Sequence, residues 1–587
     1  MLLLAAMTVV LFFLSQLLCN ACIVLIFAGS VDKRAESFYT DGLFQKLVLS
    51  GCSMTLSSVD CVLIGYNDRD FASVFAGAES TRKHSPVFSE LRRNSTPFRG
   101  QQYPFMGLLN AARSEALGHS HDWHVCELPN LGVSTLASFL HHRGLSVEWI
   151  NFFNAERAKL DLLLEQKPLA VAITTTFYVN NDPIVELVQY VRERSPETKV
   201  VVGGPHIFNL CSDYDARTLE FLFKSIGADI FVFDSQGEST LAALLKALKG
   251  AEEAELASVP NLYYTTDGQN YEFTGRQVEN NDLDTNVVDW SLFPSESYTP
   301  TVQMRTARSC AFSCAFCRYP TVGGALTLNS VDVLKKEFCK LAEAGVQNVV
   351  FIDDTFNVPL PRFKKICALL KEHNFRWFSY FRCSNADEKA FDLMAESGCA
   401  GVFLGIESGD QTILDNMNKY AKTSKYLHGI QSLKARGIVT YASFIVGFPG
   451  ETRQTFENTL AFLEEAAPTY FNAGLYFHDT KVPIHQRAGE FKLRGGGFNW
   501  QHETMNWRQA NELLDEMYLR IQNSLVLPTY MFDFWSIPYL LGKGLSLEEL
   551  RQFAEKAQPL LRRGLRDEIP TKAEEQALLD VFRPSSS

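Results

Sequence analysis

Three cysteines, Cys310, Cys314 and Cys317, are the residues whose type and spacing most directly indicate chemistry in this sequence. They are separated by three and then two residues, so one short loop can turn all three sulfurs toward one point. Three converging thiolates suit an iron–sulfur cluster, and three ligands leave one iron open to chelate a small molecule. The alternative is three buried or zinc-binding cysteines. A structural zinc site is normally closed by four ligands, and no second C-x2-C pair follows at finger spacing.

Strand and helix patterns alternate from the strand just before this cysteine loop to well beyond it on the C-terminal side. Apolar runs predict six strand–helix units between residues 301 and 500. The predicted strands cover residues 302–306, 348–352, 376–381, 401–404, 439–446 and 470–477. Since a closed barrel of parallel strands needs about eight such units, the sequence predicts an open, partial (β/α)6 barrel. Reacting groups in barrels of this type lie at the C-terminal ends of the strands.

The region before the loop, residues 59–250, predicts a separate sheet. Short apolar runs indicate buried parallel strands at residues 59–66, 146–150, 169–175, 199–202 and 229–233, with helical patterns between them. Such alternation is typical of a flavodoxin-like (Rossmann-type) sheet, which binds ligands at the carboxyl ends of its strands. Residues 67–130 are polar and irregular, and they predict no regular element.

The cysteine loop, with an aromatic residue directly before its last cysteine, resembles the signature of the radical SAM superfamily. Segments at the ends of four predicted strands also resemble segments of that family, and they lie at residues 351–356, 381–384, 405–409 and 445–452. The resemblance implies a [4Fe-4S] cluster on the three cysteines and S-adenosylmethionine as its partner. Radical chemistry of this kind is the cofactors' own, and the protein binds and orients them.

The same resemblance assigns roles to residues at the strand ends. It implies that Arg382 holds the carboxylate of adenosylmethionine, that Glu407 and Ser408 hold its ribose or amino-acid part, and that the turn from Gly447 to Glu451 holds its adenine. These residue types suit the roles, because a carboxylate needs a cation and a planar base needs a wall that glycine permits.

The predicted N-terminal sheet resembles the cobalamin-binding domain found ahead of many radical SAM domains. The resemblance lies in residues 136–144, 203–206 and 237–240, and it implies that the following residues line the cofactor: Gly203, Gly204, His206, Gly237 and Glu238. The Asp-x-His-x-x-Gly element by which some cobalamin domains coordinate cobalt is not complete here, since Asp122 and His124 are followed by Glu127 in place of glycine. Because a doubly wound fold does not by itself name a ligand, a different nucleotide-binding domain or a degenerate one is the alternative.

The last hundred residues supply a candidate substrate wall and a cap. Polar and aromatic residues at 477–485 and 495–505 follow the sixth predicted strand, and helical patterns at 507–522, 547–555 and 572–581 predict an α-helical cap. His478, His485 and His502 have irregular spacing, which favours hydrogen bonding over metal binding. The segment Trp500-x-His502-x-Thr504-Met505 resembles the phosphinothricin P-methylase group of cobalamin-dependent radical SAM enzymes.

Length and composition set the domain count and the class of partner. A chain of 587 residues exceeds one hydrophobic core, and we expect a linker at 32–58, a cobalamin-binding-like domain at 59–250, a linker at 251–300, a radical SAM core at 301–500 and a helical region at 501–587. The net charge of −12 argues against nucleic acid as a partner and favours a small-molecule substrate.

The thirteen cysteines form no disulfide framework, and an oxygen-sensitive cluster requires a cytoplasmic or other reducing compartment. Four further cysteines, Cys339, Cys367, Cys383 and Cys399, are predicted to be core residues.

Residues 1–31 carry no charge and are closed by Asp32, Lys33 and Arg34. The run is long enough to span a bilayer, and the basic residues after it would keep the following domains in the cytosol. A signal anchor is the first interpretation, a cleaved signal peptide the second, and a gene-model artefact the third.

Together these resemblances imply an enzyme that methylates an unactivated carbon, or a phosphinate phosphorus, of a small molecule. An electron donor such as flavodoxin or ferredoxin would reduce the cluster. Within the same class, the alternatives are a cobalamin-dependent cyclase or rearrangement enzyme and a methylthiotransferase. From another class, the alternative is a non-catalytic metal-bound scaffold.

Overall fold

The structure is a computed structural model, and it describes residues 59–82, 84–250, 256–530 and 534–583. These residues belong to one compact unit. The predicted hydrophobic segment 1–31 and the linker 32–58 lie outside the described residues. Within the described residues, each helix is either too short or too polar to cross a bilayer.

The helices and strands, apart from short 3-10 turns, follow one another in two halves. The first half contains β1 (Cys61–Tyr66), α1 (Phe71–Arg82), α2 (Pro86–Arg93), β2 (Ser95–Phe98), β3 (Gln101–Pro104), α3 (Phe105–Leu117), α4 (Leu131–His141), β4 (Val147–Phe152), α5 (Phe153–Leu164), β5 (Ala170–Thr174), α6 (Asp182–Arg194), β6 (Lys199–Gly203), α7 (Pro205–Asp213), α8 (Ala216–Ile226), β7 (Ile230–Val232), α9 (Glu238–Gly250), β8 (Leu262–Tyr264) and β9 (Glu272–Phe273).

The second half contains β10 (Thr301–Met304), β11 (Ala307–Arg308), α10 (Tyr319–Gly323), β12 (Thr327–Leu328), α11 (Val331–Glu343), β13 (Asn348–Phe351), α12 (Leu360–Leu370), β14 (Arg376–Tyr380), α13 (Glu388–Glu396), β15 (Cys399–Glu407), α14 (Gln411–Asn416), α15 (Thr423–Ala435), β16 (Val439–Val446), α16 (Arg453–Ala466), β17 (Tyr470–Leu475), β18 (Arg494–Gly496), β19 (Asn499–His502), β20 (Met505–Asn506), α17 (Trp507–Arg520), β21 (Leu525–Val526), α18 (Ser536–Gly542), α19 (Leu547–Leu565) and α20 (Lys572–Leu579).

The N-terminal sheet has the predicted flavodoxin-like topology. Its strand order is β4-β1-β5-β6-β7-β8-β9, and the first five strands in this order pair in parallel. Numbered along the chain, these five have the order 2-1-3-4-5, as in flavodoxin. β1 is buried along its whole length, because helices cover both faces of such a sheet. β8 and β9 extend the edge in antiparallel fashion, and two helices that the sequence did not predict, α7 and α8, lie between β6 and β7.

The prediction for residues 67–130 is wrong. This region forms three helices and a hairpin, α1 to α3 with β2 and β3, and it packs against the C-terminal helices rather than standing alone. Arg93 of α2 is buried and donates to Asn511 (2.8 Å) and Asp515 (2.9 Å) of α17. Arg99 binds Glu575 of α20 at 2.7 Å. Arg93 and Arg99, two of the polar residues that gave the segment its irregular pattern, therefore form its contacts with distant elements.

The second sheet is the partial barrel, with one strand more than predicted. Its order is β10-β13-β14-β15-β16-β17-β21, and all its pairs are parallel. The seventh strand, β21, has two residues and pairs with β17, which is too short for a sequence pattern to reveal. The edge strands β10 and β21 do not pair with each other among the described strands, so the barrel is open as expected.

Candidate active site

The cysteine loop follows β11 and is fixed by backbone contacts with two other parts of the barrel. Ala315 donates to the Met417 carbonyl (2.8 Å), and Ile484 donates to the Ala315 carbonyl (2.9 Å). Cys314 is buried, whereas Cys310 and Cys317 are half-buried.

The Cys317 thiol lies in surroundings that disfavour a free thiolate. Burial, with smaller contributions from Cys314, Asp354 and Cys310, raises the pKa of the Cys317 thiol to about 11. A thiol with this pKa becomes a thiolate when a positively charged iron centre binds it, because metal ligation deprotonates a coordinating thiol. The three cysteines thus suit a cationic metal cluster in their donor atoms, and Cys317 suits it in its surroundings as well.

Arg382 lies beside the cysteine loop and has an unused donor. Its guanidinium carbon is 3.7 Å from the centroid of the Phe312 ring, between the first two cysteines. Its Nη2 atom is buried and has no hydrogen-bond partner among the described residues. A buried, unpaired guanidinium nitrogen is costly, so this site fits a carboxylate ligand such as that of adenosylmethionine.

Glu407 and Ser408, although adjacent, are placed differently. Glu407 has a left-handed backbone (φ 67°) and accepts from Lys419 Nζ at 2.9 Å. Although burial lowers it, the Glu407 carboxylate raises the pKa of Lys419 above its usual value. Ser408 is fully buried, and its hydroxyl lies 3.1 Å from Thr459 Oγ1. Glu407 is thus paired with Lys419, whose Nζ lies 5.5 Å from the centroid of the Phe316 ring in the cysteine loop. The roles predicted for Glu407 and Ser408 stay predictions.

The turn after β16 is held in place by the Glu451 carboxyl and by the close approach of Trp500 to Gly447. Gly447 has φ 92°, and a Cβ atom there would lie 2.4 Å from Trp500 Cη2. The buried Glu451 carboxyl accepts the Gly447 N–H, and burial raises the pKa of Glu451 to about 8. Trp500 and His502 are buried behind this turn, and His502 Nε2 lies 3.2 Å from the Gly447 carbonyl. These two residues support the turn, and their role as substrate wall stays a prediction.

A cavity of about 320 Å³ lies between the N-terminal sheet and the barrel. The predicted residues Gly203, Gly204, Gly237 and Glu238 line it from the sheet side, and the barrel contributes Gln303, Arg305, Tyr319 and Ile352. His206 is not among the lining residues, and its Nε2 atom lies 2.7 Å from Asn181 Oδ1. The strand ends of the sheet thus face the barrel wall that leads to the cysteine loop.

Polar contacts hold these two halves together beside the cavity. Arg308, two residues before the first cysteine, is buried and donates to Gln236 Oε1 (2.8 Å) and to the Asn281 carbonyl (2.9 Å). Arg318, directly after the last cysteine, donates to Asp213 at 2.8 Å. The sequence gives no sign of these contacts, because each joins residues far apart in the chain.

Comparison with known proteins identifies the barrel. The model of the Radical SAM superfamily matches residues 304–463. The chain carries a radical SAM domain. Its cofactors, by virtue of that domain, are a [4Fe-4S] cluster and S-adenosylmethionine, and the chain is a radical SAM enzyme.

Relatives and solved structures extend the likeness beyond this domain. An uncharacterised methyltransferase of Pyrococcus horikoshii is 26% identical over 67% of this chain and 83% of its own. An anaerobic magnesium-protoporphyrin IX monomethyl ester cyclase of Rubrivivax gelatinosus is 25% identical over 49% of this chain, which spans about half (53%) of that protein.

Two solved structures share the fold of both halves. OxsB, a cobalamin-dependent S-adenosylmethionine radical enzyme solved with aqua-cobalamin, has a TM-score of 0.54 and 14% identity, over 89% of this chain and 75% of its own. The methyltransferase TsrM of Kitasatospora setae, solved with cobalamin and a [4Fe-4S] cluster, has a TM-score of 0.50 and 17% identity, over 77% of this chain and 96% of its own. At this level of identity the likeness is one of fold.

The three C-terminal histidines do not form a shared site in the radical SAM enzyme. His478 Nε2 lies 3.2 Å from His485 Nδ1, whereas His502 bonds to the turn after β16. Within the described ranges, no three or more His, Cys, Asp or Glu residues are grouped so that they could hold a single metal ion. Cys339 is exposed, which corrects its prediction as a core residue, and the other three predicted core cysteines are buried.

A second cavity, of about 380 Å³, opens at the ends of β16 and β17. Phe316 of the cysteine loop lines it together with Ser443, Asn472 and Tyr476. Asn472 Oδ1 and the Tyr476 hydroxyl are buried and have no hydrogen-bond partner among the described residues. These groups are candidates for substrate contact, and no motif in the sequence marked them.

Proposed function

We propose that this protein is a cobalamin-dependent radical SAM methyltransferase that acts on a small molecule. The observation that carries the proposal is the 320 Å³ cavity, because strand ends of a flavodoxin-like sheet and the wall of the radical SAM barrel line it together. Methyl transfer needs the methyl donor and the acceptor within about 3–3.5 Å of each other. A cavity shared by the two halves is a place where a cofactor bound to the sheet can meet a substrate held by the barrel. The fold shared with OxsB and TsrM and the similarity to a methyltransferase support the same function.

On the barrel side, the residues would act by binding and orienting. The three loop cysteines would hold the cluster, Arg382 would bind the carboxylate of adenosylmethionine through its unpaired Nη2, and Glu407 would orient the same molecule. The turn from Gly447 to Glu451 would flank its adenine. When bound, the cluster and adenosylmethionine supply a radical that removes hydrogen from a substrate, and cobalamin supplies a methyl carrier.

On the sheet side, glycines would let the backbone approach a large cofactor. Gly204 has φ 108°, and a Cβ atom there would lie 2.9 Å from Thr175 Oγ1, so only glycine fits this turn. Gly203 and Gly237 lie beside it in the cavity, and Glu238 accepts from Asn281 at 2.9 Å. We do not assign His206 as a cobalt ligand, because Asn181 already occupies its Nε2 atom.

Labelled methyl transfer tests this function. The protein is reconstituted anaerobically with iron, sulfide and cobalamin, reduced by flavodoxin or a chemical reductant, and supplied with adenosylmethionine labelled in its methyl group. A methyltransferase should accumulate deoxyadenosine and adenosylhomocysteine together and carry label on its cobalamin. A colourless protein with bound zinc would refute the enzyme assignment and favour the metal-bound scaffold.

A ring-forming enzyme is the second candidate, because the chain is similar to the anaerobic cyclase. Ring closure needs a substrate radical but no methyl donor. The cyclase candidate therefore predicts deoxyadenosine without adenosylhomocysteine and no label on cobalamin. The same assay distinguishes the two.

A further inference from the structure

Gln303 and Arg305 form a pair of neighbouring polar side chains on the barrel side of the cavity. Gln303 belongs to β10, and Arg305 follows directly after it. Residues two apart along an extended chain point to the same side, and both line the 320 Å³ cavity. This pair faces Gly203, Gly237 and Glu238 across the space in which we propose that cofactor and substrate meet.

Both side chains have donors without acceptors. Gln303 is 3% exposed, and its Nε2 atom has no hydrogen-bond partner. Arg305 has no hydrogen bond or ion pair to its side chain within residues 59–82, 84–250, 256–530 and 534–583. Native proteins rarely leave buried donors unpaired, because desolvation without a hydrogen bond is costly. The buried Gln303 amide, with the half-buried and unpaired guanidinium of Arg305 beside it, therefore indicates that a ligand supplies the acceptors.

Other cations around the cavity and the cysteine loop are already bound within the protein. Arg308 donates to Gln236 at 2.8 Å, Arg318 donates to Asp213 at 2.8 Å, and Lys419 donates to Glu407 at 2.9 Å. Arg382 has an unpaired nitrogen, but it stacks on the cysteine loop, where we propose that it binds the carboxylate of adenosylmethionine. Since adenosylmethionine has one carboxylate, the charge of Arg305 is available to a different anion.

The nearest acidic groups do not neutralise Arg305. Glu238 and Asp354 both respond to its charge, but neither lies within the 4.0 Å of an ion pair. A guanidinium beside a neutral amide donor matches an oxyanion, since each oxygen can accept from one of them.

We infer that Gln303 and Arg305 bind a carboxylate or phosphinate group of the substrate and so hold the acceptor molecule against the sheet-side cofactor. This inference rests on the proposed function and adds the substrate class: a small organic molecule with one negatively charged oxyanion. A carboxylate and a phosphinate present the same pair of acceptor oxygens, and the experiment below distinguishes them.

Anaerobic calorimetric titration of the reconstituted holoprotein tests the inference. The probes are two matched pairs, phenylacetate with phenylacetamide and phenylphosphinate with its methyl ester. For at least one pair, the wild-type protein should bind the anion about tenfold or more tightly than the neutral partner, because charge-assisted hydrogen bonds are the stronger kind. Arg305→Gln should remove this preference, Arg305→Lys should retain part of it, and Gln303→Leu should weaken anion binding about threefold or more.

The control is Arg217→Gln, which removes the same charge at an exposed position of α8 and should leave the preference unchanged. Absence of any anion preference in the wild type, or an unchanged preference in Arg305→Gln, would overturn the inference. Adenosylmethionine affinity and cobalamin content are measured in the same samples. If Arg305→Gln lowers either one and leaves the anion preference intact, the guanidinium serves that cofactor and the inference is wrong. A wild-type protein that binds no cluster or cobalamin would instead refute the proposed function.

Discussion

Replacing Glu451 with glutamine should make the protein more stable near neutral pH. The Glu451 side chain is 1% exposed and accepts the Gly447 N–H within the turn after β16. Burial, with a smaller contribution from Asp410, raises its pKa to about 8 even though the Gly447 hydrogen bond acts to lower it. A glutamine keeps the accepting oxygen but cannot ionise.

The size of the effect follows from the difference in pKa between the folded and unfolded states. With a folded pKa of about 8 and an unfolded pKa of about 4.3, the folded state binds more protons than the unfolded state between these values. The free energy of unfolding therefore falls as pH rises, by about 1.4 kcal/mol per pH unit. The stabilisation that protonated Glu451 gives to the folded state is fully present below pH 4.3 and is lost by about pH 8. The part of it that is already lost at pH 7 is about 3–4 kcal/mol.

Urea denaturation between pH 5.5 and 8.5, followed by circular dichroism, measures this contribution. The comparison is between the midpoints of the wild type and Glu451→Gln at each pH, because a chain of this size need not unfold in one step. The urea midpoint of the Gln variant should rise relative to that of the wild type as pH rises, and the difference should level off above pH 8. Glu451→Ala is the control: it leaves the Gly447 N–H unpaired and should be less stable than Glu451→Gln at every pH. Parallel pH profiles for the wild type and the Gln variant would refute the burial of an ionisable carboxyl here.

Three further predictions concern the cluster, the turn and the N-terminal helices. Alanine at any of the three loop cysteines should abolish the absorbance of the cluster and deoxyadenosine formation together, whereas Cys339→Ala, at an exposed cysteine, should change neither. Gly447→Ala should lower stability by about 2–4 kcal/mol, measured by urea midpoints, and should weaken adenosylmethionine binding, because its Cβ would lie 2.4 Å from Trp500. Arg93→Met should lower the free energy of unfolding by about 1–3 kcal/mol, since it removes the 2.9 Å ion pair of Asp515 and leaves that carboxylate only its 3.9 Å contact with Arg92; an unchanged midpoint would show that α2 does not stabilise the C-terminal helices.

The sequence was sufficient to predict the elements whose signals are local. Strands β13, β14 and β16 stand within a residue of their predicted bounds, because buried parallel strands are short apolar runs. The glycine turn at Gly203 and Gly204 was also predictable, since a turn that only glycine fits lies at the end of a predicted strand. Local pattern is informative where the backbone itself imposes the residue type.

Features that depend on distant contacts could not be predicted in this way. α1 to α3 read as irregular because the sequence does not show that Arg93 and Arg99 pair with residues more than 400 positions away. The contact between the Ser408 hydroxyl and Thr459 of α16 is of the same kind, because no motif in the sequence records it. Arg305 was missed because an unpaired side chain is recognisable only when all its neighbours are known.

The contacts beside the cavity also limit how the two halves can move. Asn281 accepts from Arg308 through its carbonyl and donates through its backbone N–H to Gln236 Oε1 at 2.8 Å, while its side chain donates to Glu238. One residue of the predicted interdomain linker is thereby bonded both to the cavity wall and to the strand that leads into the cysteine loop. Separating the halves would leave Arg308, which is 5% exposed, without its acceptors, at a cost of several hydrogen bonds to a charged group. The contacts of Asn281 in this linker therefore favour a fixed arrangement of the two halves over a hinge between them.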